Sequence, residues 1–233
     1  MTAPVVQLER VVKNYGGLRP LRIARLEVQS GERVAISGID ATAAAVLVSI
    51  VTGAALPDEG SVSVFGRLTA AIGSGEEWLA SLDRFGIVSP RAVLLEDATL
   101  QQNLAMPFTL QIDPVPGDVA EQVVNLAVEC GLDPAALMQP VGKLPPEARA
   151  RVHVARALAL RPEMLILEHP TADIPEPLRV PFGRDVAAAA QARGVTMLAT
   201  TFDAEFARVV AHRSLALDGA TGALTQWKRR RWF

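Results

Sequence analysis

LPPEARARVHVARALALRPEMLILEHPTAD, Leu144–Asp173, is the stretch that decides the fold. From Pro145 to Arg161 its apolar residues recur at helical spacing between arginines. The two leading prolines suit the first turn of a helix, whose N–H groups have no intrahelical partner. Met164–Leu167 then form an apolar run that stops at Glu168, which predicts a buried strand whose end faces a site. Downstream, DVAAAAQAR (185–193) predicts a helix, and VTMLATT (195–201), after Gly194, a second buried strand. Strand, helix and strand in that order predict parallel pairing through a right-handed crossover.

Upstream, VVQLERVV (5–12), RIARLEV (22–28), ERVAISG (32–38) and GSVSVFG (60–66) predict short strands, some antiparallel, the last following the turn Pro57-Asp58-Glu59-Gly60. ATAAAVLVSIVTG (41–53) carries no charge; as a helix it is apolar nearly all round and therefore central. Between Leu100 and about Arg161 the spacing turns helical, in QQNLAMPFTL (101–110) and GDVAEQVVNLAVECGL (117–132). No internal repeat or low-complexity linker interrupts this order.

A chain of 233 residues accommodates one large α/β domain with an attached subdomain. Half of the residues are hydrophobic and only 5% aromatic, so Ala, Val, Leu and Ile must fill the core, as suits a parallel sheet between helices. A net charge of -2 excludes a global attraction to nucleic acid or anionic lipid. The single cysteine, Cys130, cannot form an intramolecular disulfide, and MTAPVVQLERVV lacks the pattern of a signal peptide, so the cytoplasm is the expected compartment. The charge-free stretch Ala41–Leu56 is shorter than the roughly 20 residues a membrane helix needs. Work at a membrane would therefore require a partner to hold the chain there.

In order and spacing, these segments resemble an ABC transporter ATP-binding subunit along almost the whole chain. VKNYGG (12–17) is similar to the entry loop whose Tyr stacks on adenine, and GERVAISG (31–38) with the following helix and LPDEGSV (56–62) to the strand, phosphate loop and first helix. GIVSPRAVLLEDATLQQNLAMPF (86–108) resembles the segment joining the core to a helical subdomain. Leu144–Asp173 resembles the signature helix running into the Walker B strand, and VTMLATTFD (195–203) the switch strand. Within the family the small ATPases of lipoprotein release, macrolide export and cell division look most similar. The resemblance implies an α/β P-loop NTPase fold with a mostly parallel sheet, an N-terminal antiparallel β subdomain and an inserted α-helical subdomain. It implies one domain over 1–233, with 1–89 and 162–233 as core and β subdomain and about 90–161 as helical subdomain.

The same alignment exposes losses. A phosphate loop needs glycines that let its backbone N–H groups wrap phosphate, a Lys near the β- and γ-phosphates, and Ser or Thr for Mg²⁺. In GIDATAAAV (38–46) only Gly38 keeps its identity, Ala44 and Ala45 stand at the Lys and Ser positions, and Asp40 adds a negative charge. The lysines are Lys13, Lys143 and Lys228, none in the loop; an arginine such as Arg33 could substitute only if the fold placed it there. Glu168 stands at the metal-orienting position and His169 at that of the general base, Pro90 replaces the linker Gln and Phe202 the switch His. The signature loop has become Leu144, Pro145, Pro146, Glu147 and Ala148. Tyr15 and Gly38 remain suited to nucleotide.

Losing one electrostatic stabiliser costs on the order of 10²-fold in rate or more. The expectation is therefore a pseudo-ATPase without catalytic residues, with no cofactor or metal required and ATP and Mg²⁺ binding weakly at most. It would pair as a homodimer, or as a heterodimer with another ABC ATPase subunit, and dock a transmembrane permease subunit through the region of Pro90, Leu94, Leu95 and Leu100, peripheral on the cytoplasmic membrane face and without nucleic acid. Two alternatives stand: an active ATPase using an arginine and His169, and a soluble scaffold or regulator. The tail WKRRRWF (227–233) would suit a membrane interface or an acidic protein surface.

Overall fold

The computed structural model describes residues 3–227, so the basic tail from Lys228 to Phe233 lies outside the described residues. Strands β1 (Val6–Lys13) and β2 (Leu21–Val28) pair antiparallel and are followed by β3 (Arg33–Ser37) and helix α1 (Ala41–Val51). Next come β4 (Glu59–Val64), β5 (Arg67–Leu68), α2 (Gly75–Leu82) and β6 (Phe85–Val88). Helices α3 (Leu100–Ala105), α4 (Gly117–Glu129) and α5 (Pro146–Leu158) precede β7 (Met164–Glu168). The chain continues through α6 (Glu176–Ala192), β8 (Thr196–Thr200), α7 (Ala204–Val210), β9 (Arg213–Leu217) and β10 (Leu224–Gln226).

The strands form two sheets. An antiparallel sheet runs β2-β1-β4-β5, and a larger sheet runs β10-β9-β3-β8-β7-β6, parallel except for β10. β7 and β8 pair parallel, as the strand-helix-strand order predicts, and every residue in both is buried. Burial on both faces removes the usual alternation and produces uninterrupted apolar runs. One apolar cluster joins α1 to both sheets; another joins α3–α6 and α7 to the opposite face of the larger sheet. This mixed α/β architecture, with an antiparallel N-terminal sheet and helices between β6 and β7, is the predicted class.

α6 begins nine residues before DVAAAAQAR, at Glu176, and carries Pro181 inside it. Proline inside a helix removes an intrahelical hydrogen bond. Burial of Phe182, Gly183 and Val186 carries the helix through.

Cys130 ends α4 with 2% of its surface exposed, and burial, ahead of neighbouring Glu129, pushes its thiol up to about 12. The thiolate is the reactive form. At mildly alkaline pH, iodoacetamide is therefore expected to leave Cys130 unlabelled in the native protein and to label it fully in denaturant, as intact-mass measurement would record.

Candidate functional site

The phosphate-loop counterpart lies where β3, flanked by β9 and β8, turns into α1. Gly38 has φ +83°, and a Cβ there would come within 2.6 Å of the Leu217 carbonyl oxygen of β9. Backbone conformation and space both require glycine. Asp40 is the N-cap of α1, its carboxylate accepting the Ala43 N–H at 2.8 Å. One of the donors at the helix start is thus satisfied within the chain. Ala44 is fully buried against the core, beside Leu47 and Val48. Arg33 begins β3 at the opposite end, and its guanidinium donates to the Val210 carbonyl, so it does not stand in for the lysine. Tyr15 presents a half-buried ring; burial, and secondarily the charge of Asp40, raises its hydroxyl above the usual range.

At the end of β7 the Glu168 side chain is 1% exposed, and one oxygen accepts from Arg91 Nη2 at 2.7 Å. Its other oxygen, Oε2, is buried without a hydrogen-bond partner, as is Nε2 of His169. His169 adopts φ +43°, an uncommon conformation for a residue with a side chain, and donates its backbone N–H to Thr200. Its ring stacks on Phe202, centroids 5.0 Å apart and planes 16° apart. The Phe202 ring therefore covers the His169 imidazole.

Pro90, Pro146, Glu168 and His169 line one cleft of about 430 Å³ with Arg149 and His153 of α5. Gly38 and Ala44 are not among its lining residues. Burial, then the charges of Arg156 and Arg149, lowers the His153 pKa, which keeps this imidazole neutral at neutral pH. Pro145 caps α5 without a side-chain hydrogen bond, Pro146 opens its first turn, and Glu147 places an acid there; Leu144 is buried and Ala148 half-buried.

Of the residues expected to form a docking face, Pro90 and Leu95 are exposed, but Leu94 and Leu100 are 6% and 0% exposed and belong to the core. The cause is local: Thr99 and Gln102 form a capping box that starts α3 and turns Leu100 inward. Val93, 73% exposed, replaces them on the outer face. Sequence reasoning missed three contributors here. Asp40 carries a signal, since an Asp just before an apolar helix marks an N-cap as well as a negative charge. Arg91 carries none, because its partner Glu168 lies 77 positions away, and only the fold brings His153 to the cleft.

The ABC transporter family profile matches residues 21–172, and the chain belongs to that family. Over 215 residues, 92% of this chain, it is 28% identical to the Fe(3+) ions import ATP-binding protein FbpC of Mesorhizobium japonicum. It spans 58% of that relative's length. It is 27% identical to the lipoprotein-releasing system ATP-binding protein LolD of Alcanivorax borkumensis, covering 88% of this chain and 91% of that one. The dimeric ATP-binding cassette MJ0796, in a post-hydrolysis state bound to ADP and Pi, superposes with a TM-score of 0.75 at 22% identity, over 98% of this chain and 100% of that one. The fold is thus the ABC ATPase cassette, a P-loop NTPase architecture.

These matches overturn the expectation of no cofactor. The relatives are ATP-binding proteins by name, so ATP is the group to set against this site. The fit is uneven. Tyr15, the left-handed Gly38 and the unpartnered Oε2 of buried Glu168 are compatible with it. The loop positions that would supply lysine and hydroxyl are Ala44 and Ala45, and Asp40 occupies the Ala43 donor.

Proposed function

We propose that this chain is an ABC transporter nucleotide-binding subunit that docks a transmembrane permease subunit at the cytoplasmic face of a membrane, and that its own phosphate-loop site is catalytically degenerate. The observation that carries the second half is α1: Asp40 caps its first turn, and the residue at the lysine position is a fully buried alanine. The ATP that the relatives' names carry over to this chain is then a ligand rather than a substrate. Degenerate signature residues Pro145 and Pro146 equally disfavour turnover in a homodimer and at a site shared with another ABC ATPase subunit. Among the described residues no helix is long and apolar enough to cross a membrane, which agrees with attachment through a partner.

Docking is supported by a second cleft, of about 400 Å³, lined by Phe85, Ala92, Met106, Pro107, Arg156 and Leu160. It adjoins exposed Val93 and lies beside the segment that resembles the family's core-to-helical connection.

The competing reading, an ATPase with rewritten chemistry, is favoured by the unpartnered Nε2 of His169 at the base position. Phosphate release by the purified chain, alone and with its co-expressed permease, separates the two. The expected rate is indistinguishable from buffer, and unchanged in His169→Ala. Turnover abolished by His169→Ala would establish the competing reading instead.

A further inference from the structure

The linker from Ser89 to Ala98 is bound on two sides by different means. On the helical side Arg156 of α5 donates to the Val93 carbonyl at 2.8 Å, and Arg149 pairs with Glu96 at 2.6 Å. Fully buried Asn103 of α3 accepts the Leu95 N–H at 3.0 Å and donates back to the Leu95 and Ala98 carbonyls. On the core side the hydrogen bonds and ion pairs of the described linker residues reduce to one, Arg91 to Glu168. Arg91 is 58% exposed and Glu168 1%, so a solvent-exposed guanidinium closes on a carboxylate sealed at the end of β7.

We propose that the Arg91–Glu168 pair is an intramolecular latch, which holds the linker against the end of β7 by means of the chain's own cation. The carboxylate supplies the driving force. A buried charge deprived of its partner is strongly unfavourable, so the linker stays closed as long as Arg91 alone reaches Glu168. Val93 and Leu95, exposed beside Arg91, are the points at which a docked partner would push or pull the latch. That last role rests on the docking reading above; the latch itself is a property of the isolated chain.

Hydrogen exchange on the purified protein tests it without reference to ATP turnover. Arg91→Ala is expected to speed exchange at the Ala92 and Leu95 amides about tenfold or more, with the Leu47 and Val48 amides of α1 unchanged. Glu168→Gln, which keeps the shape and removes the charge, is expected to loosen the same amides, and serves if Arg91→Ala does not fold. The double variant Arg91→Ala/Glu168→Gln is expected to recover the thermal stability lost in Arg91→Ala while its linker still exchanges fast. A purely structural pair would recover both together. Linker exchange unchanged in Arg91→Ala or Glu168→Gln, or restored in the double variant, overturns the latch.

Discussion

Phe206→Ala is expected to destabilise the protein by about 3–5 kcal/mol, the cost of truncating a fully buried phenylalanine whose surroundings collapse only in part. Phe206 lies on α7 and stacks on Phe182 of α6, ring centroids 5.8 Å apart. Gly183 leaves room for this stack, since a Cβ there would meet the Phe206 ring at 2.9 Å. Alanine removes this ring from between α6 and α7. Asp203 caps α7 through the Phe206 N–H, and Phe202, just before it, covers His169. Chemical denaturation should therefore show the loss in midpoint, and proteolysis near Phe202 should accelerate alongside.

Gly86→Ala is the second large effect, from excess rather than loss of volume. In β6 a Cβ at this position would lie 2.2 Å from the Ala157 carbonyl oxygen of α5 and 3.0 Å from Pro162. Both neighbours are backbone or ring atoms that cannot rotate away. The helix must move off the sheet, at a cost of about 3 kcal/mol or more. Because α5 carries Arg149 and Arg156, which bind the linker, its displacement should also disturb segment 89–98. A lowered melting temperature with faster linker exchange is the expected pair of results; wild-type stability would mean that α5 does not press on β6 as closely as this geometry requires.

Much of the architecture was legible because burial on both faces writes itself into β7 and β8 as unbroken apolar runs, and the turn at Gly60 marks the start of the following strand. Other elements carried weaker marks. β6 has only four residues, with Gly86 among them, and β9 alternates too briefly over Arg213–Leu217 to stand apart from its surroundings. α2 has no buried residue and α7 only seven residues, so neither shows a helical face in sequence. Ala44, Glu168, His169 and Phe202 are singled out in the sequence by resemblance to a known family alone. What spacing could not supply was contact: Arg91 meets Glu168 across 77 positions, and the Phe202 ring reaches His169 from another strand end. The docking residues failed for the opposite reason. Leu94 and Leu100 look like Leu95 in the sequence, and only the capped turn into α3 decides which of them faces water.

Asp40 and the alanines after it set what a change in this loop would cost. Its cap is worth about 1 kcal/mol relative to alanine, and alanines such as Ala41 and Ala43 favour a helix over glycine by roughly 1 kcal/mol each. Each step toward a glycine-rich, lysine-bearing loop would therefore loosen α1 before a phosphate could repay it. With α1 resting on its own carboxylate, introducing such a loop would lower stability step by step, so the cap and the alanines together fix the present form of this turn.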